Sequence, residues 1–517
     1  MKSMLVQSAP RMIRGAVLVF VLTLVLAAPA LAGGRAETAT APQRPLVVVQ
    51  SAEPPGLDPS LHREGPTYNV TINIFDSLLR KTPDGRNVPA LAESFEREGD
   101  RAWVFRLRQG VTFHNGEPLT AEAVKFSIDR IFDPALESRR GNDLRWMRNV
   151  QVIDDLTIRI EAEEPFALAE HYFSELQIIP PQHIAEVGNE AFNAAPVGTG
   201  PFRFVRWDRG NRIVLERNDN YWRTAIEIPE LEFRFIDSAS SRVATLLAGE
   251  ADLIADPPIT ARTQIEQNPN TVFATATGTR VMFVGLDAVQ ESPVSDPRVR
   301  RAMNYAIDND AIVSSLLFGL AEATTAHLTP ADFGYTSAVS PFPYDPTRAR
   351  ALLAEAGYPN GFSVTMDITS GRYINDVAVA EAIAGYLETV GITVNIEVFE
   401  FGAFNGRLFG KQTSPMYLVG WGNPLFDAAY IWDFTARSGS LLRSIENPAI
   451  DTLLAQARTT TDQSVRERAF HQVKPLIREA APSIFLYKQP VLFGMSNRLV
   501  WEPRSDEFLD MSYASFR

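Results

Sequence analysis

Two short segments of the sequence carry side chains that could bind a small charged molecule. The first, TSGRY, contains Arg372, and the second, WGNPLFD, contains Trp421, Asn423 and Asp427. A guanidinium offers a fixed fork of donors that suits a carboxylate, and an aspartate can pair with an ammonium group. Because burying an unpaired charge costs free energy, an enclosed zwitterion needs one such partner at each end. The four residues therefore predict a binding site suited to a short peptide.

Three of these residues also have an ordinary structural explanation. Asp427 could cap a helix over residues 428–434, since aspartate is a favoured N-cap. Arg372 could be a solvated loop cation, as most such arginines are. Trp421 could belong to the core rather than to a ligand platform. The sequence leaves both explanations open for each position.

Residues that could support catalysis or metal binding do not have the spacing that such sites require. The chain contains no cysteine, which excludes thiol nucleophiles, thiolate metal sites and disulfides. It also lacks the HExxH and GxSxG motifs. The six histidines show no short metal-ligand spacing; they stand at positions 62, 114, 171, 183, 327 and 471. We therefore predict no catalytic residue, no metal ligand and no cofactor.

The two candidate segments each follow a predicted strand. Apolar residues alternate over 362–368 and again over 392–398, and a helix face over 379–390 lies between them and stops at Gly391. A crossover of this length implies parallel pairing and a right-handed βαβ unit. Residues 416–420 form a further predicted strand. Ligands of open α/β sheets gather outside the carboxyl ends of the strands, so the two loops should approach each other if their strands share one sheet.

Other local signals are equally clear. Asp345 followed by Pro346 predicts the start of a helix, with aspartate as the N-cap. Alternation over 103–107 predicts a strand, and residues 111–113 are predicted to form a second short one. Thr120 is a good N-cap for the amphipathic helix that follows.

The amino terminus has the pattern of a secretory signal peptide. Arg11 and Arg14 precede an apolar run over 16–28, and small residues at 30–32 stand before Gly33. About 13 apolar residues fall short of the ~20 that a membrane-spanning helix needs. We therefore predict a cleaved signal peptide over residues 1–32. Without cysteine, the mature protein cannot be a cysteine-linked lipoprotein.

Charge and length limit the function further. Removal of residues 1–32 takes away three basic residues, so the formal charge changes from −13 to −16. This acidity argues against nucleic acid and anionic lipid as partners. The length corresponds to about three domains of ordinary size, each with ample core. The mature part shows no internal repeat.

Four blocks of sequence, in this order, resemble family 5 of the extracellular solute-binding proteins of ABC importers. That family serves oligopeptides, dipeptides, nickel complexes and some opine or sugar conjugates. Together the blocks span nearly the whole mature chain. They are Trp103–Asp129, Pro196–Trp207 with Glu216–Trp222, Asp296–Val313 and Tyr344–Phe362.

The resemblance implies an α/β, two-lobed periplasmic binding protein fold of type II, similar to cluster C, with an extra domain on the first lobe. The first lobe would comprise residues 33–85, 195–275 and 490–517. The extra domain would comprise residues 86–194, and the second lobe residues 276–489.

The resemblance also implies the function. We expect a monomeric receptor in the periplasm that closes on a short peptide or peptide-like solute and delivers it to inner-membrane ABC permease subunits. A receptor for a metal chelate, opine or sugar conjugate on the same fold is the alternative. A periplasmic hydrolase or chaperone is a more distant one, because the sequence supplies no catalytic set.

Asp427 corresponds in this resemblance to the aspartate that captures the amino terminus of the ligand in dipeptide-binding relatives. Those relatives usually have proline after the aspartate, whereas this chain has Ala428. The departure leaves the ligand class open.

Overall fold

The computed structural model describes residues 44–62, 64–83, 85–138, 140–442 and 445–517. They belong to one compact unit, Arg44–Arg517. Within these ranges no helix is both long enough and apolar enough to cross a membrane. The predicted signal peptide, residues 1–32, lies outside the described residues.

The strands occur throughout this unit. In chain order they are β1 (Leu46–Gln50), β2 (Leu79–Lys81), β3 (Asn87–Pro89), β4 (Ala92–Glu98), β5 (Ala102–Leu107), β6 (Met147–Asp154), β7 (Thr157–Ala162), β8 (Phe202–Asp208), β9 (Arg212–Arg217), β10 (Glu230–Phe235), β11 (Leu253–Ala255), β12 (Thr271–Leu286), β13 (Glu322–Ala323), β14 (Phe362–Thr369), β15 (Ile392–Phe399), β16 (Met416–Trp421), β17 (Ser483–Ser496), β18 (Leu499–Val500) and β19 (Ser515–Phe516).

Helices alternate with these strands. In chain order they are α1 (Gly65–Thr71), α2 (Ala121–Ile131), α3 (Gly141–Leu144), α4 (Ala169–Phe173), α5 (Pro181–Val187), α6 (Asn189–Ala194), α7 (Ala239–Leu247), α8 (Arg262–Gln267), α9 (Pro297–Ala306), α10 (Asn309–Leu316), α11 (Pro346–Glu355), α12 (Asp376–Glu388), α13 (Phe401–Phe409), α14 (Ala428–Thr435), α15 (Pro448–Arg458) and α16 (Gln463–Ala480).

One large mixed sheet organises the molecule. Its strand order is β15-β14-β16-β12-β17-β11-β1-β10-β9-β8, and β13 pairs with β17 off this path. Strands β15, β14 and β16 stand on one side of the long antiparallel pair β12–β17, and β11, β1, β10, β9 and β8 stand on the other. The β12–β17 pair thus joins the two halves of the sheet.

The pairing of β12 with β17 is interrupted between Thr277 and Val281. A side chain at Gly278 would come within 2.7 Å of the carbonyl oxygen of Gln489, so the strands approach very closely there. The predicted domain boundaries at 275/276 and 489/490 fall inside these two strands, and the domain division itself stays a prediction.

The predicted βαβ unit is present. Strand β14 pairs in parallel with both β15 and β16, and α12 provides the crossover between β14 and β15. Helix α11 begins as predicted, because the Asp345 carboxylate accepts a hydrogen bond from the Arg348 amide at 2.8 Å. The two candidate loops therefore leave the same ends of neighbouring strands.

The stretch around β5 and α2 also agrees with the sequence pattern, except at one point. Thr120 caps α2 by accepting a hydrogen bond from the Ala123 amide at 3.3 Å. The prediction of a strand over 111–113 was wrong, since only an isolated bridge forms, between Thr112 and Pro118. The reason is the turn at Gly116, whose φ of 90° folds the segment back on itself.

A separate antiparallel sheet, in the order β4-β5-β7-β6, lies within the range predicted for the extra domain. Its aromatic core includes Phe105 and Phe173, whose ring centres are 4.8 Å apart. This core continues into the one that contains Trp432 of α14 and Phe470 of α16. The four-stranded sheet is therefore packed against the helices that follow β16.

Candidate functional site

A cavity of about 730 Å³ lies between the two halves of the large sheet. Its wall is formed by segments that follow β1, β11, β14 and β16, by helix α13 and by residues 506–508 near the carboxyl terminus. Loops at the carboxyl ends of strands are the usual location of ligands in α/β proteins. The volume is also within the range of roughly 300–1,000 Å³ typical of small-molecule sites.

The loop after β14 is held by the carboxylate of Asp376, at the start of α12. Asp376 accepts hydrogen bonds from the backbone amides of Gly371 and Arg372, both at 3.0 Å, and of Tyr373 at 3.3 Å. It also accepts one from the Thr369 hydroxyl at 3.1 Å. Because Asp376 is buried and close to a helix N-terminus, it fixes the backbone from which Arg372 projects.

The Arg372 side chain lines the cavity, as the sequence analysis anticipated from its loop position. Its guanidinium stacks on the ring of Phe401, 4.9 Å from the ring centre, and on Tyr373, at 5.2 Å. No carboxylate in the described part of the chain forms an ion pair with it. Burial, followed by the charge of Arg280, lowers the pKa of Arg372. The charges of Glu507 and Asp256 act in the opposite direction, but neither carboxylate is in ion-pair contact with Arg372.

Trp421 also lines the cavity. It is half-buried, and its ring lies 5.2 Å from that of Phe434 on α14. Tyr430 and Phe409 contribute further aromatic surface to the same wall. An aromatic surface beside a charge suits a ligand that has both apolar and polar parts.

Asp427 has a different environment. It caps α14 by accepting a hydrogen bond from the Ala429 amide at 2.9 Å. Both its oxygens are bound by one nitrogen of Arg466, at 2.7 and 2.8 Å, and both side chains are almost completely buried. The helix-cap explanation is therefore present in the structure. Asp427 does not line the cavity, and its direct contact with a ligand stays a prediction that this geometry does not favour.

Asn423 likewise lies behind the cavity wall. Its side-chain amide donates to Asp332 at 2.7 Å and to the backbone oxygen of Asp427 at 3.1 Å, and no part of it is exposed. Its backbone amide donates to the Thr279 hydroxyl at 3.3 Å. Asn423 thus holds the loop in place, and its predicted ligand contact also remains untested.

The sequence analysis did not identify the charged groups that β12 and the carboxyl-terminal segment bring to the cavity. Arg280 donates to both oxygens of Glu507, at 3.3 and 3.0 Å, and to the backbone oxygen of Gly420 at 3.2 Å. Its partner is 227 residues distant, so no local pattern indicates the pair. Asp256, at the end of β11, is a further acid on the wall. Asp256 follows a strand, as Arg372 does, and could have been identified from that position. Strand β11, however, has only three residues and no recognisable alternation, so the sequence did not reveal it.

The described residues contain no group of three or more histidine, aspartate or glutamate side chains arranged to hold a metal ion.

Comparison with known proteins gives a family. The family model described as bacterial extracellular solute-binding proteins, family 5, middle, matches residues 86–440. The chain belongs to this family. Its characterised members in the comparison are solute-binding proteins, not enzymes.

Individual relatives support the same assignment over most of the chain. The glutathione-binding protein GsiB of Pectobacterium atrosepticum is 28% identical over 461 residues, which cover 86% of this chain and 88% of the relative. The periplasmic binding protein DppA of Helicobacter pylori, solved with the peptide STSA, is 26% identical with a TM-score of 0.78 and covers 91% of this chain and 98% of its own. AgaA of A. tumefaciens R10, solved with agropinic acid, is 26% identical with a TM-score of 0.76 and covers the same shares.

Proposed function

We propose that this protein is the periplasmic substrate-binding component of an ABC importer and that it binds a short peptide or peptide-like solute between its two lobes. It would act as a monomer, deliver the solute to inner-membrane permease subunits and perform no bond chemistry. Export would use the predicted signal peptide over residues 1–32.

The observation that carries the proposal is the position of Arg372. Its guanidinium lies on a cavity between the two halves of the sheet, and its backbone is fixed by Asp376. A free carboxylate bound there would gain charge-assisted hydrogen bonds that the described protein groups do not supply. Peptides, and glutathione among them, all carry such a carboxylate.

Transport also requires that ligand binding change the balance between open and closed forms. A ligand shifts that balance only by its different affinity for the two forms. We propose that one half of the sheet moves relative to the other about the β12–β17 pair, so that a solute touching both halves would satisfy this condition. We propose the predicted ranges, 33–85 with 195–275 and 490–517 against 276–489, as the moving lobes.

A second candidate ligand is an opine or sugar conjugate. The similarity to AgaA, which was solved with agropinic acid, favours it. The carboxylate of such a ligand would bind the same Arg372, although the rest of the ligand would lack the regularly spaced peptide bonds of a peptide.

Native mass spectrometry of the gently purified mature protein tests the proposal. We expect a retained small molecule whose fragments are those of a peptide, including glutathione. The Arg372→Gln variant, purified in parallel, should retain much less of it. A conjugate mass would favour the second candidate, and an absence of any retained or competitively bound carboxylate from a peptide mixture would contradict both.

A further inference from the structure

Asp256 stands at the carboxyl end of β11, on the side of the cavity opposite the second-lobe strands. Strand β11 pairs in parallel with β1, and residues that follow both strands line the cavity. Asp256 has a φ of 50°, in the left-handed region that favours glycine. A non-glycine residue held in this conformation costs free energy, and such residues are concentrated at functional sites.

The backbone around Asp256 is held from two directions. Its amide donates to the carbonyl oxygen of Leu492 at 3.1 Å. Its own carbonyl accepts from the buried guanidinium of Arg242 at 2.8 Å, and Arg242 also donates to the carbonyl of Ala255 at 3.0 Å. These hydrogen bonds maintain the left-handed conformation and fix the backbone position from which the Asp256 side chain extends.

The carboxylate of Asp256 faces the cavity with no donor or cation bound to it in the described part of the chain. The Asp256 side chain is exposed to the cavity, and desolvation by the surrounding walls, followed by the charge of Glu507, raises its pKa. The nearby cations Arg242, Arg372 and Arg280 act in the opposite direction. An additional positive charge in the cavity would therefore stabilise the ionised form.

The other acids on the described cavity wall are paired. Glu507 also has a left-handed backbone, with φ of 69°, but both its oxygens are bound by Arg280. Glu175 is paired with Lys81, and Asp506 with Arg504. The exposed Glu64 lies 3.7 Å from His62, a contact that is an ion pair only when the histidine is protonated. Among the described acids of this wall, Asp256 is thus the one that has no basic side chain within ion-pair distance.

We propose that Asp256 binds the positively charged amino group of the ligand, while Arg372 binds its carboxylate. The inference rests on the proposed function and specifies its ligand class as a peptide with a free amino group. It places the two charge contacts on different halves of the sheet, so the ligand itself would bridge them. Asp427, whose carboxylate is bound by Arg466, would then act through the packing of its loop and not by ligand contact.

The test uses an equimolar mixture of random tripeptides together with glutathione, and the same mixture acetylated at its amino groups. Retention by the mature protein is measured by native mass spectrometry. We expect the wild type to prefer the free-amine mixture by about tenfold or more, the scale of a charge-assisted hydrogen bond. Asp256→Asn should lose this preference by weakening retention of free amines and leaving retention of acetylated peptides unchanged.

Two further variants separate binding from folding. Asp256→Gly removes the carboxylate and suits the left-handed backbone, so we expect an equal or higher melting temperature together with the same loss of preference. Glu250→Gln, at an exposed acid away from the cavity, should behave as the wild type.

If the wild type retains both mixtures equally, or if Asp256→Asn keeps the wild-type preference, the inference about Asp256 is overturned and the peptide function stands. If the wild type retains neither mixture, the proposed peptide function fails.

Discussion

The loops that follow β14 and β16 leave neighbouring parallel strands, yet they place their charged residues in opposite environments. After β14, Asp376 binds the backbone of the loop, and Arg372 projects into the cavity without an acidic partner among the described residues. After β16, the charge of Asp427 is neutralised by Arg466 in the protein interior. The charge of Arg372 is therefore available to a ligand, whereas the charge of Asp427 stabilises the fold.

The difference shows what decides whether a charged loop residue is available to a ligand. Both positions satisfy the rule that sites occur at the carboxyl ends of strands. Helix α16 brings Arg466 against the Asp427 carboxylate, whereas no acid of the described residues forms an ion pair with Arg372. The availability of a charge therefore depends on partners that are distant in sequence.

Removal of Arg466 should have the largest effect. Arg466→Leu leaves Asp427 as a buried charge without compensation, and loss of one partner of a buried pair typically costs about 3–5 kcal/mol. We expect urea denaturation to show a fall of this size in the free energy of unfolding. Arg468→Leu, at an exposed arginine on the same helix, is the control and should change it by about 0.5 kcal/mol or less. Equal small effects for the two variants would contradict the structural role of the pair.

Substitution of Arg372 should separate binding from stability. Arg372→Gln removes hydrogen bonds to a ligand carboxylate, worth about 1.5–3 kcal/mol of binding free energy, or roughly 10- to 100-fold in Kd. Calorimetry with tripeptides from the retained mixture should show this loss, whereas the corresponding carboxyl-amidated peptides should lose little. Arg348→Gln, at an exposed arginine of α11, should leave affinity unchanged. A similar loss for amidated peptides would show that Arg372 does not bind the ligand carboxylate.

A smaller, pH-dependent effect is expected at Asp332, which accepts the hydrogen bond from Asn423 behind the second loop. Burial, with a contribution from the charge of Asp427, raises the pKa of Asp332 to about 7. Hydrogen bonds from Thr329 and Asn423 lower this pKa but do not offset the effect of burial. Its contribution to stability is fully present below the ordinary carboxyl pKa of about 3.9 and is lost as the pH rises towards 7.

The free energy of unfolding of the wild type should therefore fall between pH 6 and pH 8 by about 1–2 kcal/mol, and Asp332→Asn should not show this decrease. Asp310→Asn, at an exposed acid, should keep the wild-type dependence. Identical pH profiles for wild type and Asp332→Asn would show that Asp332 is ionised normally.

Local patterns were sufficient to predict much of the second lobe. The alternation of β14 and β15 and the cap at Asp345 depend on residues close together in sequence, and the structure contains all three. The strand predicted over 111–113 failed because the turn at Gly116 competes with pairing.

The site was less predictable for a physical reason. The loop positions of Arg372 and Trp421 follow from their strands, and both residues line the cavity. The state of Asp427 depends on Arg466, 39 residues later, and that of Glu507 depends on Arg280, 227 residues earlier. Ion pairs between residues so distant in sequence are determined by tertiary packing. The periodic pattern of apolar residues predicts local elements and does not predict such pairs.

The interruption of the β12–β17 pair near Gly278 has a consequence for the stiffness of the molecule. Thr279 and Arg280 line the cavity at this interruption, and the Thr279 amide donates to Ser505 in the carboxyl-terminal segment instead of to β17. If the two halves of the sheet move about the β12–β17 pair as proposed, this interrupted segment would be the one that deforms, and a bound solute would touch it. We expect ligand binding in the cavity to slow the exchange of backbone amide hydrogens over residues 278–280.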